Sequence, residues 1–205
     1  MQEKREKILN EALKIVPFEG WTNKALQDAT LAAKLDKDYH KVAFPNGVSA
    51  LVDMYLRSLD EKMLSKLSNN KKLKNLKIRE KICLAIKTRL EISEDDKAVI
   101  RKTLSYFAIP YNHIESMSSI WKTVDAIWYA VGDNSTDFNY YTKRTILAGV
   151  YSSTLLYWLS DKSKDHCDTW SFLDRRIENV MQINKAKSSL NDLLCNFNYF
   201  KQPNN

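Results

Sequence analysis

Apolar residues recur at three- and four-residue steps along almost the whole chain, and nowhere alternate with polar ones over a sustained period of two. Ile8, Leu9, Ala12, Leu13 and Val16 share one face of a helix from Glu3 to Val16, closed by Pro17 and Gly20. Thr22 caps a second helix through Ala33. A short third covers Asp36 to Ala43 and ends at Phe44-Pro45-Asn46-Gly47, and Ser49 opens a long fourth that reaches Leu67. After the polar break at Asn69 to Lys72, helices fit Leu76–Glu91, Asp95–Phe107, Asn112–Val131, Asn139–Leu159 and Asp168–Lys185, with Ser188–Phe200 as the last. The expectation is an all-α fold of about ten helices. It divides into a head over residues 1–68, a helical body over 69–186 and an amphipathic helix with tail over 187–205.

Only four glycines and four prolines in 205 residues agree with helix throughout, and 44% hydrophobic content is enough for a substantial core. No apolar run approaches the roughly 18 to 20 residues of a membrane-spanning helix, and no signal-peptide core precedes the first helix. Cys83, Cys167 and Cys195 are odd in number and widely separated, which argues against a disulfide framework. A soluble chain in a reducing compartment is expected. The net charge of +7 is unevenly placed: residues 62–89 hold ten Lys or Arg against Glu80 alone, while residues 1–45 hold eight bases and seven acids.

Chemistry-bearing constellations are scarce. The sequence has no Gly-rich phosphate loop, nucleophile elbow or Cys-x-x-Cys. None of His40, His113 and His166 has a carboxylate three residues before it, which excludes the Glu-x-x-His pairs of a di-iron bundle. His166-Cys167 between Asp165 and Asp168 is a nucleophile pair in composition, but neighbouring loop side chains rarely face each other. No catalytic residue, metal or cofactor is expected; an unassigned helical enzyme is the faintest reading.

Between the aromatic helices, Gly132 to Arg144 reads GDNSTDFNYYTKR, with Gly132 a natural C-cap and Asp133 to Asp137 able to accept N–H groups of the helix that follows. Generic turn chemistry explains a capped restart but not this wording. With LAGVYSSTLLYWL after it, DTWSFLDRR at Asp168 to Arg176 and EALKIVPFEGWTNKAL near the start, the chain resembles the ubiquinone (coenzyme Q) biosynthesis accessory lipid-binding family across most of residues 8–181. That resemblance implies a tetracycline-repressor-like fold with a degenerate helix-turn-helix head. It also implies bacterial cytoplasm beside the inner membrane, or the mitochondrial matrix side, as the location.

In regulators of that fold the third helix enters a major groove. Here it reads Asp36-Lys37-Asp38-Tyr39-His40-Lys41-Val42-Ala43, with two acids toward the phosphates and no Arg or Gln for base edges. A structural remnant that binds no nucleic acid is expected; the alternative is a ligand-responsive transcription regulator.

The family likeness further implies an isoprenoid lipid or phospholipid held inside the body, for which Phe107, Ile109, Trp121, Val124, Trp128, Leu147, Val150 and Leu155 are candidate lining residues. It implies a docking patch for the di-iron hydroxylase acting on demethoxyubiquinone, at Tyr151, Leu155, Trp158, Asp168 and Trp170. Independently of it, Leu190, Leu193, Leu194, Phe197 and Phe200 form one stripe flanked by Lys185, Lys187 and Lys201. A membrane surface, the body or a second protomer in a homodimer would each bury that stripe.

Overall fold

Thr22 accepts the Ala25 N–H at 3.0 Å and starts the second helix where Gly-Trp-Thr predicts it. The computed structural model describes residues 1–133, 138–180 and 182. The head comprises α1 (Gln2–Glu19), α2 (Asn23–Ala32), α3 (Tyr39–Ala43) and α4 (Val48–Ser68). The body comprises α5 (Ile78–Ile92), α6 (Lys97–Phe107), α7 (His113–Ala130), α8 (Phe138–Ser160) and α9 over 167–180. No strand occurs among the described residues, so the all-α expectation holds.

Several boundaries differ from those read in the sequence. α1 runs through Pro17 instead of stopping there, because a missing N–H in the last turns removes a single bond; Gly20, at φ 74°, ends the helix with its N–H on the Val16 carbonyl. α3 begins at Tyr39 rather than Asp36, since the Asp36 carboxylate accepts the Asp38 N–H in a local turn. The polar break after α4 holds a 3-10 turn, Lys71–Asn75, entered through the Asn70 side chain. α9 follows another 3-10 turn, Lys164–His166, in which Asp165 and His166 take positive φ of 52° and 56°.

Two cores form, and α4 supplies both. Its first half, through Leu51, Val52, Tyr55 and Leu59, packs with Ile8, Ala12 and Val16 of α1, Leu26 of α2 and Val99 and Ile100 of α6. Its second half, through Met63 and Leu67, packs with Ile82 and Ile86 of α5, Val124, Ile127 and Trp128 of α7, Trp158 of α8 and Leu173 and Ile177 of α9. Each such fully buried Leu, Ile or Val contributes about 1.5–3 kcal/mol. The change of core falls inside α4, between Leu59 and Met63. Trp21 ties head to body: its indole N–H donates to Thr103 Oγ1 of α6 at 2.8 Å and its ring lies 5.7 Å from that of Tyr55.

Candidate functional site

Along α5 the apolar face Ile82, Ala85, Ile86 and Leu90 is interrupted by Arg89, which is 1% exposed. Burying a guanidinium requires an acid. Arg89 Nε donates to Asp60 Oδ1 of α4 at 2.7 Å, Nη1 donates to Ser93 Oγ at 2.9 Å, and Thr123 Oγ1 of α7 donates to Asp60 Oδ2 at 3.0 Å. Burial raises the Asp60 carboxyl above its usual value, against the lowering pull of Arg89 and Thr123. By composition Arg89 belongs to the basic stretch of residues 62–89; the structure places it inside, joining α4, α5 and α7. Its position on an apolar helical face, with Asp60 on another, was the available signal.

The GDNSTDFNYYTKR junction acquires a structural reason. Gly132, at φ 85°, donates to the Tyr129 carbonyl while Asp133 N–H reaches Trp128, a Schellman ending for α7. Asp133 pairs with Lys143 at 2.7 Å and Arg144 at 3.4 Å. Arg144 also binds Asp125 at 2.6 Å and stacks on Tyr140, whose hydroxyl donates to the same Asp125. Asn134 to Asp137 lie outside the described residues.

Two apolar clefts flank α8. One, about 290 Å³, lies between α5, α8 and α9, lined by Ile78, Ile82, Trp128, Leu147, Val150 and Ile177 with Arg79 and Lys143 among them. The Trp128 indole N–H is buried there without a partner among the described residues. The other, about 120 Å³, opens between α6, α7 and α8 and includes Phe107, Ile120, Tyr151 and Leu155. The eight predicted lining residues are thus divided. Trp128, Leu147 and Val150 line the first cleft, and Phe107 and Leu155 the second. Val124 is solid core, Trp121 stacks against Tyr140 and Tyr141, and Ile109 points outward, 52% exposed beyond the end of α6.

The predicted docking patch is also divided. Trp158 is 0% exposed, covered by Lys97, whose ammonium lies 4.6 Å from its ring, and Tyr151 is 5% exposed, so neither offers a face to a partner in this arrangement. Both occupy core positions because α8 is enclosed by α5, α7 and α9. Asp168 is exposed and Trp170 half-buried: its indole donates to the Asp165 carbonyl at 2.8 Å, and Lys87 lies over its ring. The preceding turn is anchored by Asp161, which accepts both the Thr169 N–H and hydroxyl, while Ser163 Oγ accepts the Asp168 N–H. Burial opposes ionisation of Asp161, but these bonds outweigh it and hold the carboxyl well below its usual value.

His166 and Cys167 do not form a pair. His166 Nε2 lies 2.9 Å from Glu94 and 3.1 Å from Lys97, whereas the Cys167 thiol is exposed beside Asp168. Cys83 is half-buried and its thiol is pushed up to about 12 by burial and by Asp174. Among the described residues no three His, Cys, Asp or Glu side chains stand where a metal ion would be held. No described helix is long and apolar enough to cross a membrane. In the head, Lys41 pairs with Asp38 at 2.7 Å and Lys24 with Glu19 at 3.1 Å, so these cations already have carboxylate partners. Leu190, Leu193, Leu194, Phe197, Phe200 and Cys195 lie outside the described residues.

A family model described as COQ9 matches residues 114–184. The probable ubiquinone biosynthesis protein coq9, mitochondrial, of Dictyostelium discoideum is 31% identical over 91% of this chain and 62% of its own length. The ubiquinone biosynthesis protein COQ9, mitochondrial, of Rattus norvegicus is 33% identical over 87% of this chain and 59% of that protein; for the Homo sapiens protein of the same name the values are 31%, 87% and 58%. The chain therefore spans between 58% and 62% of the length of these relatives. A solved TetR transcriptional regulator from Nitrosomonas europaea matches in fold, with TM-score 0.66 and 18% identity, over 85% of this chain and 95% of that one. Both likenesses drawn from the sequence motifs are borne out.

Proposed function

We propose, from the premise that the chain is a relative of the COQ9 proteins, that it serves ubiquinone biosynthesis as a non-catalytic accessory protein. In this reading it holds an isoprenoid lipid or phospholipid at a membrane surface and presents the demethoxyubiquinone precursor to its hydroxylase. The observation that carries this is the 290 Å³ cleft between α5, α8 and α9, apolar along its walls and with Arg79 and Lys143 among its lining residues. An isoprenoid chain matches such walls, and Arg79 at the edge suits an anionic bilayer at the same face, Lys143 being paired with Asp133. The mitochondrial names of the relatives favour the mitochondrial location over the bacterial one for this chain.

Hydroxylase docking is proposed at Trp170 and Asp168, the accessible members of the patch. The terminal stripe from Leu190 to Phe200 is proposed as the membrane contact, with homodimerisation as the other way to bury it. The regulator alternative has the fold on its side, but a reading helix of five residues with its Lys41 paired to Asp38 weighs against it. Mass spectrometry of lipids retained by the purified chain, beside DNA binding at low salt, tests the choice. Bound isoprenoid or phospholipid without DNA affinity is expected; a lipid-free chain that binds DNA sequence-dependently overturns it.

A further inference from the structure

The turn between α8 and α9 carries two successive residues with a Cβ in the left-handed region, Asp165 at φ 52° and His166 at φ 56°. That conformation is disfavoured unless the surroundings impose it. It delivers the His166 imidazole, whose side chain is 18% exposed, beside the rings of Trp158 and Trp170, at centroid distances of 6.1 and 6.3 Å. The same turn presents the Asp165 carbonyl to the Trp170 indole N–H at 2.8 Å. The setting of Trp170 on α9 therefore begins at His166.

Three charged groups among the described residues face the ring. Glu94, in the turn between α5 and α6, lies 2.9 Å from Nε2, and Lys97, at the start of α6, lies 3.1 Å from it. Asp161, just after α8, lies 3.8 Å from Nδ1. Lys87 of α5 stands over the Trp170 ring at 4.9 Å. Lys97 is itself paired with Glu94 at 2.8 Å, which offsets its repulsion of a charged imidazole. Desolvation raises both carboxyls, but Lys97 and His166 hold Glu94 below its usual value, and Thr169 and Ser163 hold Asp161 well below. A neutral imidazole has a single N–H. Donated to Glu94, it leaves Nδ1 as a lone pair turned toward the Asp161 carboxylate, and Nδ1 is buried with no hydrogen-bond partner among the described residues. The imidazolium instead turns one N–H toward each carboxylate. Interactions with the charged form are present at low pH and are lost as pH rises through the range in which imidazole changes charge, about pH 5 to 8.

We propose that His166 is a positioning residue for the docking face at Trp170, its proton tying the α8–α9 turn to the α5–α6 turn. The face is set when the imidazole is charged and loosens as the proton leaves. The link from His166 to Trp170 stands on geometry alone, while its effect on the hydroxylase rests on the docking reading above.

Heteronuclear NMR of the full chain from about pH 5 to 8 tests it, following the His166 ring and the Trp170 indole N–H while hydroxylase affinity is measured at each pH. The Trp170 signal is expected to move with the His166 titration, and affinity to fall roughly three- to tenfold from low to high pH. His166→Asn, which tolerates positive φ without titrating, is expected to remove both effects. Should it not fold, Glu94→Gln, which keeps the ring and removes its nearest carboxylate, is expected to shrink them. A Trp170 signal that stays fixed while His166 titrates, or a pH dependence unchanged in the variant, overturns the inference. The two readings fail separately. A fixed Trp170 signal with hydroxylase binding lost in Trp170→Lys removes the pH coupling and leaves docking; a coupled signal with binding indifferent to Trp170→Lys removes docking and leaves the coupling.

Discussion

Arg89 is the residue on which the interior depends most, because a single substitution there leaves Asp60 buried with Thr123 as its main remaining donor. Arg89→Met is expected to cost about 3–5 kcal/mol in urea unfolding, and Asp60→Leu added to it to restore most of that loss. If the double variant is no more stable than the single, the pair does not account for the penalty. Asp161 sets a pH dependence. Its folded carboxyl is held below the unfolded value, so its contribution is full above about pH 4 and is lost as pH falls toward the folded value. Asp161→Asn is expected to flatten the acid limb of the stability curve by up to one proton; an unchanged slope contradicts the assignment. Neither residue was singled out from sequence: a charge on a helix, as at Arg89, reads as solvated until its apolar neighbours are set beside it, and Asp161 sits in a polar turn whose partners, Ser163 and Thr169, only the fold brings together.

The elements themselves were largely legible. Thr22, Gly132 and the three- and four-residue apolar steps located helices because capping and periodicity are local properties. What was not legible depended on which helices meet. Trp158 and Trp170 carry similar sequence signals, yet enclosure of α8 buries the first while the second sits near the rim of α9. Val124 and Ile109 both read as lining residues, and one became core, the other surface. At this scale Trp21→Ala is expected to cost about 3–5 kcal/mol, since it removes an aromatic and its bond to Thr103 from the seam between α6 and the head. Because α4 carries both cores, head and body should unfold in one transition; two resolved transitions in calorimetry would show them independent. Trp170→Lys is expected to weaken hydroxylase binding without altering the helical circular dichroism, and a loss of folding would mean the indole serves the core instead.

For the whole molecule, the tetracycline-repressor-like scaffold keeps the head, with Lys24 and Lys41 already held by acids, and opens an apolar cleft in the body. Ending the chain after Lys187 is expected to abolish sedimentation with anionic vesicles while preserving the fold; undiminished sedimentation would take the terminal stripe out of the account. The central claim is that the body shelters a greasy molecule. Native mass spectrometry of the purified chain, followed by lipid extraction, addresses it most directly. The account predicts an isoprenoid or phospholipid released in near-stoichiometric amount and reduced when Val150→Trp fills the cleft. A chain of bare polypeptide mass, with no lipid in the extract, contradicts it.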